Sequence, residues 1–172
     1  MLALNDDAWS DFTHADGVAC DIPARLRELA SFPSGDARHT EPYASLRRAL
    51  LHQNCVYTAS YAALPHMVEL MADVPERAHP AVLELVTRIE IARSKGNGPD
   101  MHDALAAMYG EALKRLPEVI AALSRQSWDE SFTRAAAAAL AVSRRQPALA
   151  EAILELKPRK LADFMDTVAD DE

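Results

Sequence analysis

The sequence predicts an all-α protein, arranged as a right-handed α-solenoid of stacked helical pairs. Ala and Leu together number 53 of the 172 residues, against 14 for Val and Ile, and this balance favours helix over strand. Apolar residues recur with helical spacing, and no strand-like alternation lasts for more than a few residues. Helix pairs marked by proline recur at intervals close to the roughly 40–47 residues of helical-pair repeats.

Apolar stripes separated by short polar breaks predict seven helices. The first has Pro23 near its start, where proline is well tolerated, and turns Leu26 and Leu29 inward. The third and fifth keep their stripes in phase through Pro65 and Pro117, so each is predicted to be one helix, with a kink expected at Pro65. The predicted helices cover residues 22–31, 42–53, 56–73, 80–93, 101–124, 129–145 and 147–156.

The remaining helices have their own local signals. The second carries Leu46, Ala49 and Leu50 on one face. The fourth ends at a breaker cluster that contains Gly96 and Gly98. The sixth is rich in alanine, which makes it thin enough for close packing, and the seventh begins at a proline.

The order of the helices predicts a repeat. The helix-associated prolines Pro23, Pro65 and Pro117 are spaced by 42 and 52 residues, and the starts of the partner helices by 38 and 49. An expansion at residues 94–103 accounts for the longer intervals. Stacked pairs are the simplest arrangement, although a closed bundle would bury the same stripes.

The net charge of −8 divides the chain into three regions. Residues 1–21 form an acidic N-terminal arm or cap with five acidic and no basic residues, and residues 161–172 form an acidic tail of the same balance. The repeat domain, residues 22–160, has 16 acidic and 18 basic residues. Because no basic stripe is evident, we expect no nucleic-acid partner.

Other classes are excluded by what the sequence lacks. No stretch approaches the roughly 18 apolar residues of a membrane span, and the acidic start is unlike a signal peptide. We therefore expect a cytoplasmic protein without a membrane partner. Cys20 and Cys55 are 35 residues apart, so we expect reduced and buried thiols rather than a metal knuckle. We found no catalytic motif and no His pair at metal-ligand spacing, so we expect no enzyme activity, metal or cofactor.

Residues 52–71 resemble a His-Gln-turn-Val-Tyr-x-Ala-Ser element of bacterial HEAT-like proteins, some of which look like immunity proteins of polymorphic toxin systems. Asn54 stands where glycine is usual and Thr58 where proline is usual. Asparagine tolerates a left-handed turn conformation, so the turn is expected to persist. The matching residues are His52, Gln53, Val56, Tyr57, Ala59 and Ser60.

Residues 116–145 resemble HEAT repeats more generally. A helix ends, a short turn containing Asp129 follows, and Arg134 stands two residues before an alanine-rich second helix. The resemblance implies HEAT/armadillo-like helical pairs. The motif residues His52, Gln53 and Tyr57 have two interpretations. In the first interpretation, these residues line a recognition groove. In the second, which we favour, His52 and Gln53 satisfy carbonyls at the end of their helix and Tyr57 buries its ring against a neighbouring repeat.

Candidate partner-binding residues lie opposite the apolar stripes of two helices and in the N-terminal arm. In the arm, Trp9 is a candidate anchor, accompanied by Phe12, among acidic residues suited to a basic cleft. Solenoids commonly use such extended polar surfaces for protein partners. The candidates are Asp6, Asp7, Trp9 and Asp11 in the arm, Thr58, His66, Glu69 and Asp73 on the third helix, and Glu111, Lys114, Glu118 and Arg125 on the fifth.

Three functions are compatible with these features. The first, favoured by the resemblance, is an immunity protein that binds a cognate toxin with a basic active-site cleft and occludes it. The second is a general HEAT-type adaptor or regulatory scaffold. The third, a helical-repeat enzyme that processes DNA bases, requires a basic face and an aromatic pocket. The two tryptophans, Trp9 and Trp128, lie outside the helices expected to line such a face.

Overall fold

The computed structural model describes residues 1–33 and 39–156. The protein is mostly helical, as the all-α prediction requires, and the described residues contain seven α-helices. These are α1 (Ile22–Leu29), α2 (Tyr43–Leu50), α3 (Thr58–Asp73), α4 (Pro80–Ser94), α5 (Asp103–Leu123), α6 (Glu130–Ser143) and α7 (Pro147–Glu155). The predicted tail, residues 161–172, and the last residues of the predicted repeat domain lie outside the described residues.

Each predicted helix is present. Pro65 and Pro117 lie inside α3 and α5, which confirms the prediction of one helix at each position. The Asp129 carboxylate caps α6 by accepting a hydrogen bond from the Phe132 N–H at 2.7 Å. Arg134 lies inside α6, as the helix predicted over residues 129–145 requires, and not before it as in the HEAT resemblance. It pairs with Glu130 one turn earlier, at 2.8 Å.

A compact N-terminal region precedes α1, and the sequence did not predict its structure. It contains a 3-10 helix (Asp7–Asp11), an antiparallel hairpin of β1 (Thr13–His14) and β2 (Gly17–Val18), and a second 3-10 turn (Ala19–Asp21). Gly17 has a φ of +136°, a conformation that favours glycine, at the start of the returning strand. The region is attached to the helices by hydrogen bonds from the Thr13 N–H to Thr58 Oγ1 at 2.8 Å and from Arg27 to the Leu4 carbonyl at 2.7 Å.

Helices that are two apart in the chain pack together. The contacts join α1 with α3, α3 with α5, α2 with α4 and α4 with α6. The odd-numbered helices α1, α3 and α5 therefore form one row, and the even-numbered helices α2, α4 and α6 form an adjacent row. The last helix, α7, packs mainly on α6 and α4. Between α4 and α6 the alanine side chains allow close approach, and five of them in α6 are buried: Ala135, Ala136, Ala138, Ala139 and Ala141.

The core runs along both rows, and α3 is its centre. Every residue from Ala59 to Val68 is buried, because the N-terminal region, α1, α4 and α5 all pack on this helix. The prediction of buried thiols is wrong. Cys20 and Cys55 are both exposed, because one lies in the 3-10 turn before α1 and the other in the turn before α3.

Candidate partner-binding surface

The motif at residues 52–55 forms a tight turn between α2 and α3. The backbone groups of His52 and Cys55 exchange two hydrogen bonds, 3.1 Å and 2.8 Å long. Gln53 and Asn54 have φ values of +50° and +61°, so the left-handed conformation expected at Asn54 is confirmed. The side chains of His52 and Gln53 are exposed.

The second half of the motif connects three parts of the fold. The buried Ser60 hydroxyl donates to the Leu50 carbonyl at 2.6 Å and accepts from the Tyr57 N–H at 2.9 Å. The Val56 N–H donates to the Asn97 carbonyl, 2.8 Å away, in the loop between α4 and α5. The carbonyl at the end of α2 is therefore satisfied by Ser60, and within the described residues no hydrogen bond joins the side chain of His52 or Gln53 to the end of that helix. The side chain of Tyr57 is half-buried, and a tyrosine hydroxyl bond to this loop is made by Tyr61, which donates to the Pro99 carbonyl at 2.9 Å.

A groove of about 470 Å³ lies between α3 and α5, and it contains two of the predicted partner-binding residues. Glu69 contributes from α3 and Glu111 from α5. The floor is largely apolar. The other lining residues are Met1, Pro65, Val68, Ala107, Met108, Ala112 and Arg115.

Ion pairs fix the orientation of the two groove carboxylates. Arg115 of α5 pairs with Glu69 across the groove, and Lys114 pairs with Glu111 at 2.6 Å. Glu111, Arg115 and Glu118 are spaced by four and three residues, so they share one face of α5.

The acidic surface continues beyond the groove on both helices. Asp73 follows Glu69 by four residues on α3, and Glu118 follows Glu111 by seven on α5. Asp73 and Glu118 are exposed, and within residues 1–33 and 39–156 neither forms an ion pair. The four acidic residues that the sequence assigned to α3 and α5 therefore follow one continuous surface, which we call the acidic groove.

Two predicted contact residues are buried instead of exposed. Trp9 is 2% exposed and its indole N–H donates to the Ala3 carbonyl at 3.0 Å, so the ring belongs to the core. His66 is 6% exposed, with its ring centroid 6.0 Å from that of Trp9. The prediction that these side chains face a partner is wrong for this structure, because the N-terminal region covers this part of α3. Burial lowers the pKa of His66, and its Nε2 atom has no hydrogen-bond partner among the described residues.

The acidic residues of the N-terminal arm remain at the surface. Asp6 caps the first 3-10 helix by accepting from the Ala8 N–H at 2.9 Å, and Asp7 and Asp11 are exposed on the same helix. This helix lies against α3 through Trp9, and Met1 lines the acidic groove. The arm is therefore adjacent to the α3 side of the groove.

A buried charged cluster was not predicted. Both oxygens of Glu90 on α4 accept hydrogen bonds from Arg93, at 2.7 Å and 2.8 Å, and the Tyr109 hydroxyl of α5 donates to the same carboxylate at 2.8 Å. The spacing of Glu90 and Arg93 by three residues on a helix is a recognisable signal. The contribution of Tyr109 depends on the packing of α5 against α4, which no local pattern specifies.

Within the described ranges there is no group of three or more His, Cys, Asp or Glu side chains arranged to hold a metal ion. None of the helices described has the length and apolar character needed to cross a membrane. Comparison of the chain with protein-family models, with curated proteins and with solved structures gives no match in any of the three.

Proposed function

We propose that this chain is a protein-binding module that neutralises a cognate bacterial toxin by covering its active site. The observation that carries the proposal is the acidic groove, in which Glu69 and Glu111 flank an apolar floor and Asp73 and Glu118 extend the same charge. An apolar centre with a charged rim is the usual anatomy of a protein interface.

The charge of the groove suits a toxin with a basic active-site cleft. The four carboxylates outnumber the cations Arg115 and Lys114, which pair with two of them. Exposed pairs of this kind contribute only about 0–1 kcal/mol, so a basic partner segment can replace them at small cost. Long-range attraction between the acidic surface and a basic cleft also accelerates association.

The proposed architecture is an array of HEAT/armadillo-like helical pairs with right-handed stacking. The packing of α1 with α3 and α5, and of α2 with α4 and α6, supports an array in which one row of helices lines the binding surface. The acidic groove lies between two members of the odd-numbered row, α3 and α5. This agrees with the lining role that the proposal gives to that row.

Co-expression tests the proposal. The chain is produced together with the protein encoded beside it, in cells that this neighbour kills or arrests. We expect the unmodified chain to restore growth, the double variant Glu69→Lys/Glu111→Lys to fail, and the control Glu28→Lys/Glu76→Lys, at exposed positions outside the groove, to protect. Absence of rescue by the unmodified chain would contradict the immunity function. Stable binding of a non-toxic neighbour would favour the adaptor.

A further inference from the structure

A second cavity, of about 540 Å³, lies on the opposite side of α5 from the acidic groove. Its α5 residues Ala106, Tyr109 and Leu113 are spaced by three and four, and they lie on the other face of the helix from Met108, Glu111 and Arg115. The C-terminal ends of α4 and α6 complete its walls. The volume is within the range of about 300–1,000 Å³ that is typical of small-molecule sites.

The polar part of this cavity is anchored by the buried cluster. Glu90 is 7% exposed, and its carboxylate is neutralised by the ion pair with Arg93 and accepts a further hydrogen bond from the Tyr109 hydroxyl. Arg93 uses Nε and Nη2 for this pair, which leaves the Nη1 donors for another acceptor. Its guanidinium carbon lies 5.7 Å from the centroid of the Tyr109 ring, and this contact holds it at the cavity wall.

Two further cations line the cavity. Lys114 and Arg145 are exposed, and together with Arg93 they give the lining three positive charges against the single carboxylate of Glu90. Glu111 pairs with Lys114 from outside the lining and offsets part of this excess. The cavity is therefore a site of modest positive charge in a chain whose net charge is −8.

The rest of the lining is mostly apolar, which selects a ligand with a hydrocarbon or aromatic body. These residues come from the α4–α5 loop, α5, α6 and the start of α7, and they are Met101, Ala106, Leu113, Val142 and Pro147. From the three cations and this apolar wall, we propose that the cavity binds an amphipathic monocarboxylate, with its carboxylate on Arg93 and its apolar body against α5 and α6. The site lies on the other face of α5 from the acidic groove, with the Lys114–Glu111 pair at the border between them, and it does not depend on the proposed toxin partner.

Calorimetric titration of the full chain with octanoate, octan-1-ol and octylammonium tests the charge preference. We expect octanoate to bind about ten-fold more tightly than octanol, a difference of about 1.4 kcal/mol, and octylammonium not to bind. Equal affinity for octanoate and octanol would overturn the proposal. So would the absence of octanoate binding to the folded chain at millimolar concentration.

Two pairs of variants test the location. Ala106→Trp fills the cavity from an exposed lining position, and its control Ala104→Trp adds the same side chain on α5 outside the lining. Arg145→Gln removes a lining cation, and Arg144→Gln removes its exposed neighbour. We expect Ala106→Trp to abolish octanoate binding, Arg145→Gln to weaken it several-fold, and both controls to retain it. If folded Ala106→Trp binds octanoate as tightly as Ala104→Trp, the cavity is not the site.

Discussion

At the scale of single residues, three buried tyrosine hydroxyls differ in what they contact. Tyr109 donates to the Glu90 carboxylate and Tyr61 to the Pro99 carbonyl, whereas the Tyr43 hydroxyl has no hydrogen-bond partner among the described residues. Burial raises the pKa of Tyr43 to about 12. A buried polar atom without a partner lowers the stability of the fold.

This contrast predicts opposite effects for the same substitution. Tyr43→Phe should leave the free energy of unfolding unchanged or raise it by up to about 1 kcal/mol, because it removes an unsatisfied group. Tyr109→Phe should lower it by about 1.5–3 kcal/mol, because it removes a hydrogen bond to a charged carboxylate. Urea unfolding of both variants measures the difference, and a larger loss for Tyr43→Phe than for Tyr109→Phe would contradict the account.

One buried and one half-buried histidine, His66 and His79, predict a dependence of stability on pH. Burial lowers the pKa of His66 and of His79 below the ordinary value of 6.5. Well above pH 6.5 both are neutral in the folded and the unfolded chain. As the pH falls below 6.5 the unfolded chain takes up protons first, so the free energy of unfolding decreases until the folded-state pKa values are reached.

Urea unfolding at pH 7.5 and pH 5.0 measures this loss. His66→Gln should show a smaller decrease than the unmodified chain, because one of the responsible groups is removed. The control His102→Gln, at an exposed position, should show the full decrease. An identical decrease in all three proteins would exclude His66 as a source of the pH dependence.

For the candidate site, the sequence predicted least well which side chains are exposed to solvent. The helical spacing of α3 assigns His66 to a polar face, and this assignment would be correct if α3 were an isolated helix. The N-terminal region then covers that face and buries Trp9 beside it. Glu69 and Glu111 were predicted at the surface and do line a groove, because nothing in the described structure covers their side of α3 and α5.

At the scale of elements, the helices could be predicted because their signals are local. Proline near a helix start, an Asp N-cap and a continuous apolar stripe each act within a few residues, and all seven predicted helices are present. The hairpin of β1 and β2 could not be predicted, because two residues in each strand are too few for a periodic pattern. Its position depends on contacts with α3 that are distant in the sequence.

The contact of the α4–α5 loop with Val56 and Tyr61 leads to a testable prediction about Gly98. A Cβ atom at Gly98 would lie 2.5 Å from Val56 Cγ2 and 2.7 Å from the Tyr61 hydroxyl. Gly98→Ala should therefore lower the free energy of unfolding by about 1–3 kcal/mol, the usual cost of overpacking. Thermal or urea unfolding measures the change.

Gly110 provides the matched control. It lies inside α5, and a Cβ atom there would meet nothing within 4 Å. Gly110→Ala should raise the free energy of unfolding by roughly 0.5–1 kcal/mol, because alanine favours helix. If both substitutions have the same effect, the loop does not pack closely against the motif.

At the scale of the whole molecule, charge and shape differ between the two faces of α5. One face borders the acidic groove, and the other borders a cavity with an excess of cations. The sequence predicted the acidic residues of the groove, but their assembly with residues of α3 required the packing of α3 on α5. The two proposals together assign a basic protein to one side of α5 and a small anion to the other.

The most direct test of the central proposal, that the acidic groove binds a toxin, is the association rate of the purified chain with the protein encoded beside it. The rate is measured for the unmodified chain, for Glu69→Gln/Glu111→Gln/Glu118→Gln, and for the control Glu28→Gln/Glu76→Gln/Glu130→Gln. The two triple variants lose the same charge, and each breaks an ion pair with an arginine. The account predicts an association rate about ten-fold lower for the groove variant only, with a reduced dependence on salt. Equal rates for the two triple variants would contradict it.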